Sequence, residues 1–544
     1  MDAPIFHVNA QSMPDVANVF KIAAEYRQKF QTDVVVDLIG YRKMGHNELD
    51  QPMFTQPLMY SVVKTMKPVR DVYRQQLVDQ GIEESILDDI DKRNLEHLED
   101  QYKKSKTEQF DTDQWDSEEW QEIKDPQKYG HIKDTGVPIE VLKNIGDKIA
   151  VLPEANFHNA IKKIYAARHK AISEGKGIDW GTAEALAFAS LIEEGHHVRL
   201  SGQDVERGTF SHRHAHVHYQ DKDGFYNPIN AMSSGADSVR KFIASNSLLS
   251  EYAVLGFEYG YAQTNPNSLV IWEAQFGDFA NGAQIMIDQF IASGETKWNV
   301  RNGLVMLLPH GYDGAGPEHS SCRIERYLQL TNAPDEYPPD EMDAGKIAEA
   351  INMKVVNCST AAQYFHVLRR QCRRPFRKPL IVVAPKKLLK LKAACSDIEQ
   401  FKEGYRFKRV LPDERQDLVA GDQVKRVIVC SGQVYYDLES ERQKRNIKNI
   451  ALVRLEEISP FPFRSVEEEL KKYQNAEVMW VQEEPKNQGA FAFVEPRFRN
   501  LFKKMQHKQS NLQYAGRPIS ASTATGYGVA HKQELQSFLN IAMQ

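Results

Sequence analysis

The feature that most constrains this chain is a recurring type of short run: "TDVVVDLIG", "HHVRLSG", "NSLVIWEAQ", "GLVMLLPHG", "KVVNCS", "PLIVVAP", "RVIVCSG", "NIALVRLEE" and "AEVMWVQEE". Each is of strand length and apolar on nearly every residue. A strand with one wet face alternates; a run apolar throughout belongs to a strand covered on both faces, as in a parallel sheet packed between helices. Helix-length amphipathic stretches separate the runs. The chain therefore reads as α/β, doubly wound, and its 544 residues suffice for several such units in series.

Three units are expected. Residues 1–125 hold the strand "PIFHVNA", the helix "MPDVANVFKIAAEYRQKF" with Pro14 near its start, and the strand "TDVVVDLIG". The text then turns helical and acidic through "EQFDTDQWDSEEWQEIKD" (108–125), read as a solvated helix or linker. Residues 126–385 form the second unit, with helical text before Trp180, and residues 386–544 the third. A chain that opens directly on a strand suggests an incomplete first unit.

Net charge of −5 argues against nucleic acid as the main partner. No apolar run approaches the ~18 residues of a membrane span. Cys322, Cys358, Cys372, Cys395 and Cys430 are odd in number and scattered, which fits reduced thiols better than disulfides or a zinc site. The first twenty residues have neither the charged-then-apolar plan of a secretory signal nor an Arg/Ser-rich amphipathic leader.

Several stretches carry candidate chemistry. "LLSEYAVLGFEYGYA" places Glu251 and Glu258 seven residues apart, on one face of a helix and among apolar neighbours. A carboxylate in such surroundings needs a partner or a task. "LPHGYDGAGPEHSS" follows an apolar strand and offers His310 and His319 on a glycine-rich loop, where open α/β sheets place ligand groups; a surface loop with locally bonded histidines is the alternative. "GYRKMGHNELDQP" offers His46 at another strand's end, equally readable as a capped polar loop. Phe276 and Phe279 stand beside glycine and alanine in "QFGDFANGA" and suit either a core or a planar ring. His212, His214, His216 and His218 alternate in "SHRHAHVH"; on a strand they would share a face, yet no carboxylate or cysteine joins them at ligand spacing, so no metal is assigned. The basic run 368–392 reads as structural.

These stretches, together with "APIFHVNA", "SGQDVERGTFSHRHAHVH", "QEEPKNQGA" and "YAGRPISAS", resemble the thiamin-dependent first component of the 2-oxoglutarate dehydrogenase complex. They do so in family order and over essentially the whole chain, with wording nearer the mitochondrial than the bacterial branch. The resemblance implies a transketolase-like thiamin diphosphate fold of diphosphate-binding, pyrimidine-binding and C-terminal domains, the first incomplete here. It implies that Glu251 contacts the aminopyrimidine ring, sharing a proton with a ring nitrogen through a carboxyl of raised pKa. It also implies that Phe276 packs on that ring with Phe279 nearby, that His319 faces substrate with His310 close by, and that His46 lies in a loop bordering the cofactor. Glu258 is left as a hydrogen-bonded structural residue. The Mg2+ ligands of the family, a Gly-Asp motif with a downstream Asn pair, are expected outside this chain.

The activity implied by the resemblance is oxidative decarboxylation of 2-oxoglutarate, with succinyl transfer to a lipoyl-bearing dihydrolipoyl succinyltransferase beside dihydrolipoyl dehydrogenase. A homodimer in the mitochondrial matrix is implied too. Two alternatives stay open: a truncated, non-catalytic paralogue that dimerises or docks in the complex, and a relative specific for 2-oxoadipate.

Overall fold

The computed structural model describes residues 3–109, 118–121, 123, 134–232, 241–339 and 344–544, in two compact units, 1–114 and 115–544. Most of the acidic stretch 108–125 lies outside the described residues.

In the first unit, β1 (Ile5–Asn9) and β2 (Val35–Ile39) pair in parallel, Ile5 opposite Val35 and Asn9 opposite Ile39. The helix Met13–Phe30 joins them, with Pro14 in its first turn, where a missing N–H costs nothing. Helices Pro57–Val63, Val69–Asp79 and Glu84–Lys104 come next along the chain. The two-sided burial expected of "VVVDLI" is not met: Leu38 is 49% and Ile39 54% exposed. The reason is geometric. In a two-stranded sheet both strands are edges, and a single crossover helix covers one face.

The second unit contains β3 (His197–Gly202), β4 (Val217–His218), β5 (Phe225–Tyr226), β6 (Phe242–Asn246), β7 (Ser268–Glu273), β8 (Val305–His310), β9 (Lys354–Asn357), β10 (Leu380–Pro385), β11 (Val410–Leu411), β12 (Arg426–Cys430), β13 (Ile450–Leu455), β14 (Glu457–Ser459), β15 (Glu477–Pro485) and β16 (Gln513–Arg517). The apolar runs of the sequence become β3, β7, β8, β9, β10, β12, β13 and β15. Here their two-sided burial holds: all six residues of β8 and of β13 are buried.

A seven-stranded sheet has the order β14-β9-β10-β8-β7-β3-β6, and a five-stranded sheet the order β11-β13-β12-β15-β16. Both are parallel except at one edge, where β14 and β11 run antiparallel to their neighbours. The chain passes from β13 in the small sheet straight to β14, which covers the β9 edge of the large one, so the two sheets share a strand-to-strand link. Helices Trp180–Glu193 and Ala361–Arg373 pack together on the large sheet, Trp180 stacking on Tyr364 at 4.7 Å. Each begins at a side-chain cap: Asp179 accepts from the Thr182 N–H and Thr360 from the Gln363 N–H. All five thiols are free, and all but Cys395 are buried. No helix among the described residues is long and apolar enough to cross a membrane.

Candidate active site

The carboxyl ends of β3, β7, β8 and β10 lie side by side, and the loops leaving them carry most of the residues singled out by sequence. Glu251 opens the helix Glu251–Thr264, directly after its N-cap Ser250, whose hydroxyl accepts from the Ala253 N–H. The first turn of a helix favours a carboxylate electrostatically. Gln203, just past β3, donates from Nε2 to Glu251 Oε1 at 3.3 Å. On the other side Gly282 leaves the acid room, since a Cβ there would stand 3.3 Å from Oε2. Glu251 is half-buried, not enclosed as its neighbours in sequence suggest. Two turns on, Glu258 is fully buried and takes three hydrogen bonds of 2.8–3.0 Å from Arg199 of β3, so its charge is spent on structure.

The 3-10 segment Gly277–Ala283 brings the aromatic residues to the same end. Phe276 precedes it, and its ring lies edge-to-face with Phe279 (5.8 Å), Phe210 (5.4 Å) and His319 (4.3 Å). Phe276, Phe279 and His319 are each half-buried or more exposed than the core around them. His319 ends a short turn, Pro317–His319, in the loop after β8.

That loop is clamped from both sides. Asp278 Oδ2 accepts from the N–H groups of Ser320 and Ser321, and Gly311 N–H donates to Ser320 O. Lys386, at the end of β10, bonds the carbonyl of His319 and lies 3.2 Å from Asp313. His310 does not face the aromatic cluster's ligand space. It is 1% exposed; Nδ1 accepts from the Cys322 N–H, so Nε2 carries the proton and donates to Glu484 of β15 at 3.0 Å. Glu483 accepts from the N–H of Tyr312 and from Gln433. Two buried glutamates of the small sheet thus hold the start of the loop that carries His319.

Burial, with Glu484 alongside, pushes the Glu483 carboxyl up to about 7, against the opposing pull of Arg517 and of the hydrogen bond from the Tyr312 N–H. A carboxyl raised in the folded state stabilises fully below its unfolded value, near 4.5, and that contribution is lost as pH climbs through about 7. Relative to Glu483→Gln, the native protein should lose up to ~1.4 kcal/mol per pH unit across that window. Urea denaturation of both from about pH 4.5 to 8 measures the difference; parallel profiles would refute the assignment.

The histidine run is not one strand face. Ser211 and His214 have positive φ, and only Val217–His218 is extended in a ladder. His212 packs against Gly208, while His216 stacks on Phe225 at 4.0 Å and shares Glu206 with His218. Between them Arg213, which no motif in the sequence marks, lies buried between Glu184 and Glu273. His46 belongs to the first unit, exposed, its Nδ1 3.0 Å from Arg42. Sequence reasoning also missed Gln203, Asp278 and Lys386. Lys386 has a readable signal, a cation immediately after an apolar strand, hidden inside a basic run that reads as structural.

A carboxylate at a helix start, with half-exposed aromatic rings at the same end of a parallel sheet, is compatible with a transketolase-type pyrimidine-binding domain. Residues 176–392 match the family model of that domain, "Transketolase, pyrimidine binding domain"; residues 395–543 match "2-oxoglutarate dehydrogenase C-terminal", and residues 1–113 match "Dehydrogenase E1 component". The chain is 46% identical to "2-oxoglutarate dehydrogenase, mitochondrial" of Dictyostelium discoideum and of Schizosaccharomyces pombe, in each case over 100% of this chain and 54% of the relative. It is 44% identical to "2-oxoglutarate dehydrogenase E1 component" of Brucella ovis, over 100% of this chain and 53% of the relative. The chain is similar to 2-oxoglutarate dehydrogenases along its whole length, and it spans about half the length of the curated relatives it matches.

Proposed function

We propose that this chain serves the thiamin diphosphate-dependent oxidative decarboxylation of 2-oxoglutarate, with the succinyl group passed to a lipoyl-bearing dihydrolipoyl succinyltransferase. The observation that carries the reading is the meeting of Glu251 with Phe276, Phe279 and His319 around the segment Gly277–Ala283. The donor set fits an aminopyrimidine: one carboxylate oxygen is steadied by Gln203, and aromatic faces stand ready for a flat ring. The bound cofactor supplies the electron sink for loss of CO2. Glu251 holds and returns a proton at the pyrimidine ring, Phe276 and Phe279 exclude water, and His319 donates to the anionic oxygens of the substrate.

Mg2+ belongs to this proposal as the partner of the diphosphate. Among the described residues no group of three or more His, Cys, Asp or Glu side chains is placed to hold a metal. The same reading makes the protein a homodimer of the mitochondrial matrix, working beside dihydrolipoyl dehydrogenase. It is supported by the mitochondrial names of its eukaryotic relatives and by the exposed apolar side chains Leu249, Tyr252, Phe257 and Ile285 near Glu251.

His319→Ala tests the substrate side. Loss of one charge-assisted hydrogen bond should cost about 1.5–3 kcal/mol, or roughly ten- to a hundredfold in kcat/KM for 2-oxoglutarate. Thiamin diphosphate affinity, read by calorimetry in the presence of Mg2+, should stay nearly unchanged. His212→Ala is the contrast, expected to lower stability without changing KM. Unchanged kcat/KM for His319→Ala, with a collapse for His212→Ala, would move the substrate site to the other loop.

A further inference from the structure

Away from the Glu251 site, at the far end of helix Ala361–Arg373, an excess of positive charge is buried. Arg370 is 7% exposed, Arg374 6% and Lys354 3%. Arg409, from the segment before β11, approaches them, and the carboxylate at their centre is Glu457 of β14. Glu457 Oε1 lies 2.8 Å from Arg370 Nη2 and Oε2 lies 2.9 Å from Arg409 Nε. Even the first contact is misaligned, so that the buried Arg370 Nη2 makes no hydrogen bond. Arg373 turns outwards to Glu194, which Arg369 already holds. Lys354 Nζ lies 4.7 Å from the face of Phe376 and within the field of Glu457. Arg374 lies near the same ring, and among the described residues no carboxylate or hydrogen-bond acceptor meets its guanidinium.

Arg370, Arg373, Arg374, Arg406 and Arg409 line one narrow cleft, which is open to solvent on the side of Arg373 and Arg406. Burying one unpaired charge costs several kcal/mol, and like charges at close range add to it. Burial, with Arg370 alongside, pulls the Arg374 guanidinium well below its ordinary range, and Lys354 is lowered in the same way by burial and by both arginines. Guanidinium forks converging from several directions match the oxygens of a tetrahedral dianion better than a single carboxylate.

We propose that this cleft, between the C-terminal end of helix Ala361–Arg373 and the segment 406–409, is a binding site for a phosphate group, either inorganic phosphate or the phosphate of a small phosphomonoester. The anion supplies the charge that Glu457 alone does not, with Arg374 and Arg370 as inner ligands and Arg406 as the outer one. The cleft itself has room for about one water, so the phosphate enters as the exposed side chains of Arg373 and Arg406 move aside, and any ester substituent stays at the solvent mouth.

Thermal denaturation of the chain with inorganic phosphate at constant ionic strength, balanced with sodium chloride, tests this. Phosphate should raise Tm saturably. Arg374→Met should lose that response, weakening phosphate at least tenfold by calorimetry, and should be as stable as or more stable than the native chain in phosphate-free buffer. That last sign separates a ligand site from a structural arginine, whose removal would destabilise in both buffers. Glycerol 3-phosphate in a parallel titration distinguishes the sources: tighter binding than inorganic phosphate assigns an ester, weaker binding the free ion. A Tm rise that chloride reproduces, or one that persists undiminished in Arg374→Met, would overturn the proposal.

Discussion

Glu251→Gln is expected to leave the fold intact and to cut 2-oxoglutarate turnover by roughly 10²-fold or more, the range for a general acid–base group. The amide keeps the size of the acid and an oxygen for the Gln203 Nε2 donor. What it removes is the capacity to give and take a proton, which is the role proposed for this side chain. Its half-buried place in the first helical turn makes a large folding penalty unnecessary. The effect should fall on kcat, with cofactor affinity measured by calorimetry reduced far less. Glu258→Gln should do the reverse: it disturbs the buried fork with Arg199 and lowers stability while leaving chemistry alone. Decarboxylation by Glu251→Gln at the native rate would sink the assignment of this acid.

The largest effect on stability is expected from Arg213→Met. Arg213 is 4% exposed and bridges Glu184 (1%) and Glu273 (6%), donating to both oxygens of each. Tyr364 adds a hydroxyl donor to Glu184 at 2.6 Å, which a methionine leaves in place. Removing the cation strands two buried carboxylates, at a cost of about 3–5 kcal/mol. Urea denaturation of the two proteins at neutral pH reads the loss. A loss below about 1 kcal/mol would mean the acids find other partners.

These two residues also mark where the sequence is readable and where it is not. Glu251 is legible because an acid inside an apolar, helix-periodic stretch is anomalous, and anomalies of charge are visible one residue at a time. Arg213 is not, because it sits among four histidines whose alternation mimics a strand. Positive φ at Ser211 and His214 breaks that strand, and no local pattern announces it. His310 and His319 show the same limit within one loop. Close together in the chain, they read as companions, yet one ring is sealed against Glu484 and the other lies among Phe276 and Phe279.

By itself the sequence determined the class of fold and the strands that build it, since a run apolar on every residue is stable only between two covered faces, and that demand is local. It also pointed to the loops after those strands as the place to look for function, with Glu251, Phe276, Phe279 and His319 among the candidates. The tertiary structure decided which strands receive that cover: β8 and β13 are buried on both faces, while the equally apolar β2 is left largely exposed in its two-stranded sheet. It decided, too, that β14 closes the edge of the large sheet, that Glu483 and Glu484 reach back to clamp the His319 loop, and that five arginines line one cleft beside the buried carboxylate of Glu457. Such contacts join residues tens to hundreds of positions apart. Their energies depend on burial and on the sum of charges meeting in space, and neither quantity is written in any short stretch of chain.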